Sequence, residues 1–209
     1  QYTNPASGFL FNTNHSPFMA TDEKSNLNPG KYDLKDGFET YNNNRSLRVN
    51  ELMVGVDKMD YEHFKKIKFD RQYPAHFMFP YGIDSLVNLN ANEYPLLKEV
   101  ITHLQDWDHK AVVNSKGAAT FLLAYEYISK KLKNGPTREL SKAESVETFQ
   151  YINDYMLKNF GTVDLSLGDI QKLARGDDAR PGDGLPDILA AAYSKPYFNG
   201  TRNITTGDA

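Results

Sequence analysis

The apolar positions of the chain fall into three segments, 1–44, 45–160 and 161–209. In the first, short runs such as Phe9-Leu10-Phe11 interrupt a background of Asn, Gly, Pro and Ser. That pattern predicts one short strand and then a meandering loop through Asn26-Leu27-Asn28-Pro29-Gly30. So much irregular chain at the start of a domain implies a segment that lies against other parts of a larger protein. From Arg45 the spacing turns helical. Val49, Leu52, Met53 and Val56 predict a helix over 45–56, and Asp60 can cap a second one carrying Phe64 and Ile67 on one side. Pro95 suits the first turn of a third, with Leu97, Ile101 and Leu104 along one stripe.

The strongest periodicity follows. Ala118, Phe121, Tyr125, Ile128 and Leu132 recur at alternating three- and four-residue steps, the spacing of a buried helix face. Asn134-Gly135-Pro136 ends that helix. Ser141-x-x-Glu144 reads as a capping box, ahead of a stripe of Val146, Phe149, Ile152, Met156 and Phe160. After Gly161 turns return: Asp177 to Asp187 reads as a loop, Leu185 to Tyr193 as one more helix, and Asn199 to Ala209 as strand or coil. The fold class is therefore mainly α with minor β.

Composition narrows the function classes. A net charge of −3 offers no electrostatic footprint for nucleic acid or an anionic membrane, and no apolar run reaches the length of a bilayer span. The absence of cysteine excludes disulfides and thiolate chemistry. The chain opens on Gln1 without methionine or a signal peptide, which reads as a mature or excised segment.

Self-contained catalytic machinery is hard to find. His15, His63, His76, His103 and His109 are scattered with no metal-binding spacing, and read as surface or packing residues. Asp177, Asp178, Asp183 and Asp187 lack the register of a calcium loop and read as a solvated turn. Arg175-Gly176-Asp177 reads as a chance tripeptide. The sequons at Asn14, Asn44, Asn199 and Asn203 read as coincidence in an asparagine-rich chain. No metal and no cofactor is assigned.

One run is more specific. Asn4-Pro5-x-x-Gly8-Phe9-x-x-Asn12-x-Asn14-x-x-Pro17 resembles a signature of the penicillin acylase family, roughly N-P-x-x-G-x-[IV]-x-x-x-N-N-x-P. Further likenesses follow in order: Ser46-Leu47-Arg48-Val49-Asn50-Glu51-Leu52, Asp60-x-x-x-Phe64-x-x-Ile67-x-x-Asp70, Trp107-Asp108, and Leu167-Gly168-Asp169 through Gly207-Asp208. The resemblance implies an N-terminal-nucleophile hydrolase of αββα fold, of which this chain is a helical subdomain. In that family a serine exposed by self-cleavage attacks an amide, and its own α-amine serves as base. An α-amine titrates near neutrality and so can take the hydroxyl proton.

By the same resemblance Asn14 is an oxyanion donor, with His15 in place of the family's second asparagine, and Arg48 lies near the nucleophile and orders the amine and the asparagine. An amide NH₂ suits developing negative charge because it donates and cannot compete for the proton. Asn14 as a turn cap and Arg48 as a surface arginine remain the simpler alternatives. The departures are that Gln1 is not a nucleophile, no Gly-Ser pair exists, and Asp22 stands off register from the family's calcium-binding aspartate. The implied partners are an acylated amine substrate, of β-lactam or acyl-homoserine-lactone type, and the remaining segments of the precursor. The implied location is the periplasm or outside the cell, and the chain alone is expected to be inactive. A noncatalytic helical scaffold module is the competing function.

Overall fold

The computed structural model describes residues 1–79, 81–132, 138–175, 178–190, 194–197 and 204–207. Two compact units form, Gln1–Phe77 with Asp187–Ala190, and Met78–Pro186 with Ala191–Ala209. The chain is mainly helical with minor antiparallel strand pairs, as the periodicity predicts.

In the first unit the short strand expected around Phe9-Leu10-Phe11 does not form. Among the described residues the segment has no partner strand, and it is organised by turns and side-chain bonds instead. Phe11 N donates to Ala20 O at 3.0 Å, Thr21 N to Asn26 Oδ1 at 3.1 Å, and the Tyr2 hydroxyl to Pro17 O at 2.8 Å. Three single-turn 3-10 helices interrupt the coil, each opened by a Ser, Asn or Asp side chain that accepts from the turn. Phe18, Tyr32 and Phe38 meet at tilted and edge-on angles with centroids 5.4–5.9 Å apart, giving this polar stretch its small apolar centre.

Helix α1 (Asn44–Met53) stops before Val56 because Gly55 takes a left-handed φ of 75°. Val49 is buried, while Leu52, Met53 and Val56 are half-buried. Helix α2 (Tyr61–Lys68) begins where Asp60 accepts from His63 N at 2.7 Å. It buries Ile67, but Phe64 remains 49% exposed, so the expected two-residue apolar face is only half used.

In the second unit, α3 (Asp84–Val87) precedes α4 (Lys98–Gln105). Pro95 sits in the turn ahead of α4, and Leu97, Val100, Ile101 and Leu104 are all buried. Helix α5 (Lys116–Lys131) is more enclosed than a single stripe predicts: every residue from Gly117 to Ala124 is buried. Gly117 is required there, since a Cβ would overlap the Trp107 side chain and the His103 carbonyl. Trp107 stacks on Phe121 with centroids 4.8 Å apart. Each large side chain sealed at this junction contributes on the order of 1.5–3 kcal/mol. The expected stop at Asn134-Gly135-Pro136 lies outside the described residues.

Helix α6 (Lys142–Phe160) starts on the predicted capping box and buries Phe149, Ile152 and Met156. Gly161 closes it with a left-handed φ of 75°. A short α7 (Leu167–Ile170) docks through Leu167 N to Ser115 O at 2.9 Å and Gly168 N to Val113 O at 2.7 Å.

The loop expected over 177–187 instead begins with a strand. β1 (Lys172–Arg175) pairs antiparallel with β2 (Asp178–Pro181), Lys172 opposite Pro181. The buried Gln171 amide donates to Gly182 O and Gly184 O at 2.9 and 2.8 Å, fixing the chain that leaves the hairpin. The helix expected over 185–193 is not formed across the described residues 185–190. Pro186 lacks an N–H, and Asp187 adopts a left-handed φ of 59°, which no helix accommodates. β3 (Ser194–Tyr197) and β4 (Ile204–Gly207) pair antiparallel, so part of the 199–209 end is strand. No helix among the described residues is long and apolar enough to cross a membrane.

Candidate active site

Asn14 and Arg48 lie in the same unit but in separate hydrogen-bonded clusters, and a different arginine holds Asn14. The arrangement begins with Asn43, which caps α1. Its Oδ1 accepts from Ser46 N at 2.8 Å, and Ser46 Oγ accepts from Asn43 N at 3.2 Å, a reciprocal capping box. The same side chain turns its Nδ2 outward to Thr13 O at 2.9 Å and Asn14 O at 3.0 Å. One carboxamide therefore both starts the helix and tethers the loop.

The loop is bent sharply. Asn14 has a φ of 57°, a left-handed conformation that asparagine tolerates better than most residues, and its N–H donates to Asn12 Oδ1 at 2.7 Å. That bond makes Asn12 a shaping residue of the loop. His15 is buried beneath it, stacked on Phe11 at 4.8 Å. Its Nδ1 accepts from Thr13 N at 3.1 Å, so the ring proton sits on Nε2 and is donated to Met19 O at 2.9 Å. Burial, the main cause, holds the His15 pKa below its ordinary value. A neutral imidazole with both nitrogens committed braces the loop and does not serve as a base for Thr13 Oγ1, although that oxygen lies 3.0 Å from Nδ1.

Arg45, at the start of α1, completes the cluster. Its Nη1 donates to Asn14 Oδ1 at 3.1 Å and its Nε to Asp187 Oδ1 at 2.9 Å, while Asp187 Oδ2 accepts from Asn44 N at 2.8 Å. A guanidinium carries only donors, so the atom of Asn14 facing it is the carbonyl oxygen. The amide NH₂ therefore points the other way. Asn14 is exposed, and among the described residues its Nδ2 has no acceptor. Positive charge on Oδ1 withdraws electron density from the amide and sharpens Nδ2 as a donor. The cluster can thus present a pre-oriented N–H to an anion.

Arg48 is differently employed. Its Nε and Nη2 fork onto Asp70 Oδ1 and Oδ2, both at 2.9 Å, and its Nη1 meets Glu51 Oε2 at 2.9 Å. Those carboxylates in turn hold backbone: Asp70 Oδ1 accepts from Gln72 N at 3.1 Å, and Glu51 Oε1 from Ala75 N at 2.8 Å. With its arginine side chain 17% and Asp70's 15% exposed, this fork ties the chain at 70–75 to α1. Arg48 has no bond to Asn14; all three of its bonding nitrogens are committed to carboxylates. The ordering of Asn14 expected of Arg48 is done by Arg45, one turn earlier.

Sequence reasoning also missed Asn43 and Asp187. Asn43 could have been found as the Asn one residue before a helical run with a hydroxyl three residues on. Asp187 could not, because it reaches α1 from a segment more than a hundred residues away. The acidic residues read as a solvated turn are in part structural. Asp183 Oδ1 accepts from Val113 N at 2.7 Å, and Asp187 pairs with Arg45. Asp177, the sequons at Asn199 and Asn203, and most of Arg175-Gly176-Asp177 lie outside the described residues.

No curated protein matches the chain. A family model described as Penicillin amidase matches residues 1–195, a span that includes Asn14, Arg45, Arg48 and Asp187. With nearly its whole length matched, the chain belongs to the penicillin amidase family, and so to the amide-bond hydrolases.

Proposed function

We propose that this chain supplies the oxyanion-stabilising part of an enzyme that hydrolyses the amide of an acylated amine. Asn14 Nδ2 donates to the tetrahedral oxyanion, Arg45 positions Asn14 and polarises it, and Asp187 positions Arg45. The observation that carries this is the orientation of the exposed Asn14 amide, with its oxygen held by a guanidinium and its NH₂ without an acceptor among the described residues. Asn43, by contrast, spends both ends of its amide on the protein. The nucleophile is an N-terminal serine contributed by polypeptide outside these residues. The local hydroxyls give support, since Ser16 Oγ is spent on Glu39 O at 2.6 Å and Thr13 Oγ1 bonds to Asn43 Oδ1 at 3.3 Å. By this reading the chain alone has no amidase activity, and the whole enzyme is made as a precursor and exported. Its substrate class is the acylated small-molecule amine, of which β-lactam side chains and acyl-homoserine lactones are the two kinds to try.

The test is Asn14→Ala in the complete enzyme, with acylation followed on a chromogenic acyl-amide. Loss of one oxyanion donor lowers the rate by roughly 10²–10³. Self-processing to the mature termini is retained. Wild-type turnover in that variant removes Asn14 from the site.

A further inference from the structure

The second unit carries a group of side chains that the amide-hydrolase reading does not use. Glu99 and His103 stand one turn apart on α4, and Asp164 reaches them from the turn after Gly161. His103 Nε2 lies 3.9 Å from Glu99 Oε1 and 3.8 Å from Asp164 Oδ1, and one donor atom from each residue falls within 4.8 Å of the other two. Those separations are too long for hydrogen bonds. Around a tetrahedral ion with bonds of about 2.0–2.2 Å, neighbouring donors stand some 3.3–3.5 Å apart. Nε2 stands within a few tenths of an ångström of that spacing from each carboxylate, and rotation of the two exposed side chains brings their oxygens together.

His103 is the least exposed of the three. Its side chain is only 12% exposed, and its Nδ1 is sealed from solvent without a hydrogen-bond partner among the described residues. Among the described residues Nε2 has no hydrogen bond and faces the two carboxylates at ion-pair distance, while the orphaned Nδ1 carries the cost of burial. Its backbone is also fixed, because the His103 carbonyl packs against Gly117 where α5 crosses.

We propose that Glu99, His103 and Asp164 form a site for a divalent transition-metal ion of the zinc type, with a fourth position open to water. One imidazole nitrogen with two carboxylate oxygens suits a borderline ion better than calcium, which takes six to eight oxygens. The ion staples α4 to the turn that follows α6. Lys116 is the built-in competitor: its Nζ pairs with Asp164, and it must release that carboxylate when metal binds.

The probe is Co²⁺ added to the 209-residue chain, followed by visible absorption, with Zn²⁺ displacement and the thermal midpoint as second readouts. The expected result is one equivalent bound, displaced by Zn²⁺, with a midpoint that rises with metal and falls again on chelation. Loss of an outer-shell partner alone costs about 10–100-fold in affinity. Glu99→Gln and Asp164→Asn are therefore each expected to weaken binding by roughly tenfold or more. Both residues are exposed, so these variants fold even if His103→Ala does not. Lys116→Met is expected to tighten binding by freeing the Asp164 carboxylate. No binding to the wild-type chain, or affinity unchanged in both carboxylate variants, overturns the proposal.

Discussion

Arg45 Nη1 lies 3.1 Å from Asn14 Oδ1, and the same guanidinium holds Asp187 through Nε at 2.9 Å. The carboxylate fixes the arginine, and the arginine fixes which end of the Asn14 amide faces solvent. Removing Arg45 leaves Asn14 in place but free to rotate. In the complete enzyme, Arg45→Ala is expected to lower kcat by about 10–10³. The Arg45→Ala/Asn14→Ala double variant should be little worse than the worse single one, because both remove the same interaction. Additive losses in the double-variant cycle would separate the two residues.

Asn14→Gly separates chemistry from backbone. Glycine accepts the left-handed φ of 57° without strain but offers no amide. The expected outcome is an unchanged urea midpoint, with a rate as low as that of Asn14→Ala. Retained rate in the glycine variant would mean that the bend, not the side chain, matters.

Arg48 and Asp70 make the opposite case. Both side chains are mostly buried, and their fork anchors backbone at residues 70–75. Arg48→Ala is expected to cost about 2–3 kcal/mol of stability, since it strands a carboxylate that is largely out of water. Equilibrium unfolding measures this, and the per-molecule rate of the folded enzyme should be little changed.

Gly117→Ala has a sign opposite to helix propensity. At an open helical position the change stabilises by up to about 1 kcal/mol. Here the new methyl overlaps Trp107 and the His103 carbonyl, so a loss of about 1–3 kcal/mol is expected. The Trp107 emission spectrum should shift as its stack on Phe121 opens.

Burial holds the imidazoles of His15, His103 and His109 below their ordinary pKa of 6.5. Between the lowered values and 6.5 the unfolded chain binds more protons than the folded one. The stability gained from keeping these rings neutral is therefore complete above pH 6.5 and is lost as the pH falls through the lowered values. Urea midpoints are expected to decline from pH 7 to pH 5, with a smaller decline in His15→Gln.

The helical half of the molecule was legible because its stripes are long. The α5 and α6 periodicities and the Ser141–Glu144 capping box appear where spacing places them. What misled were short segments decided by long-range partners. Phe9-Leu10-Phe11 has strand composition but no strand to pair with among the described residues, and residues 185–190 have helix composition but a left-handed Asp187 drawn towards Arg45. The site divides in the same way. Asn14 stands out through its motif, but Arg45 and Arg48 are three residues apart on α1, and spacing alone does not say which one faces the loop. Only the contacts with Asn14 and Asp70 distinguish them.

Asn43 fastens the first turn of α1 with one end of its amide and the Thr13–Asn14 carbonyls with the other. Unwinding of that first turn therefore slackens the bend that aims Asn14. On warming, turnover should fade while far-ultraviolet ellipticity is still flat, making catalysis a thermometer for the fraying of a single helical turn.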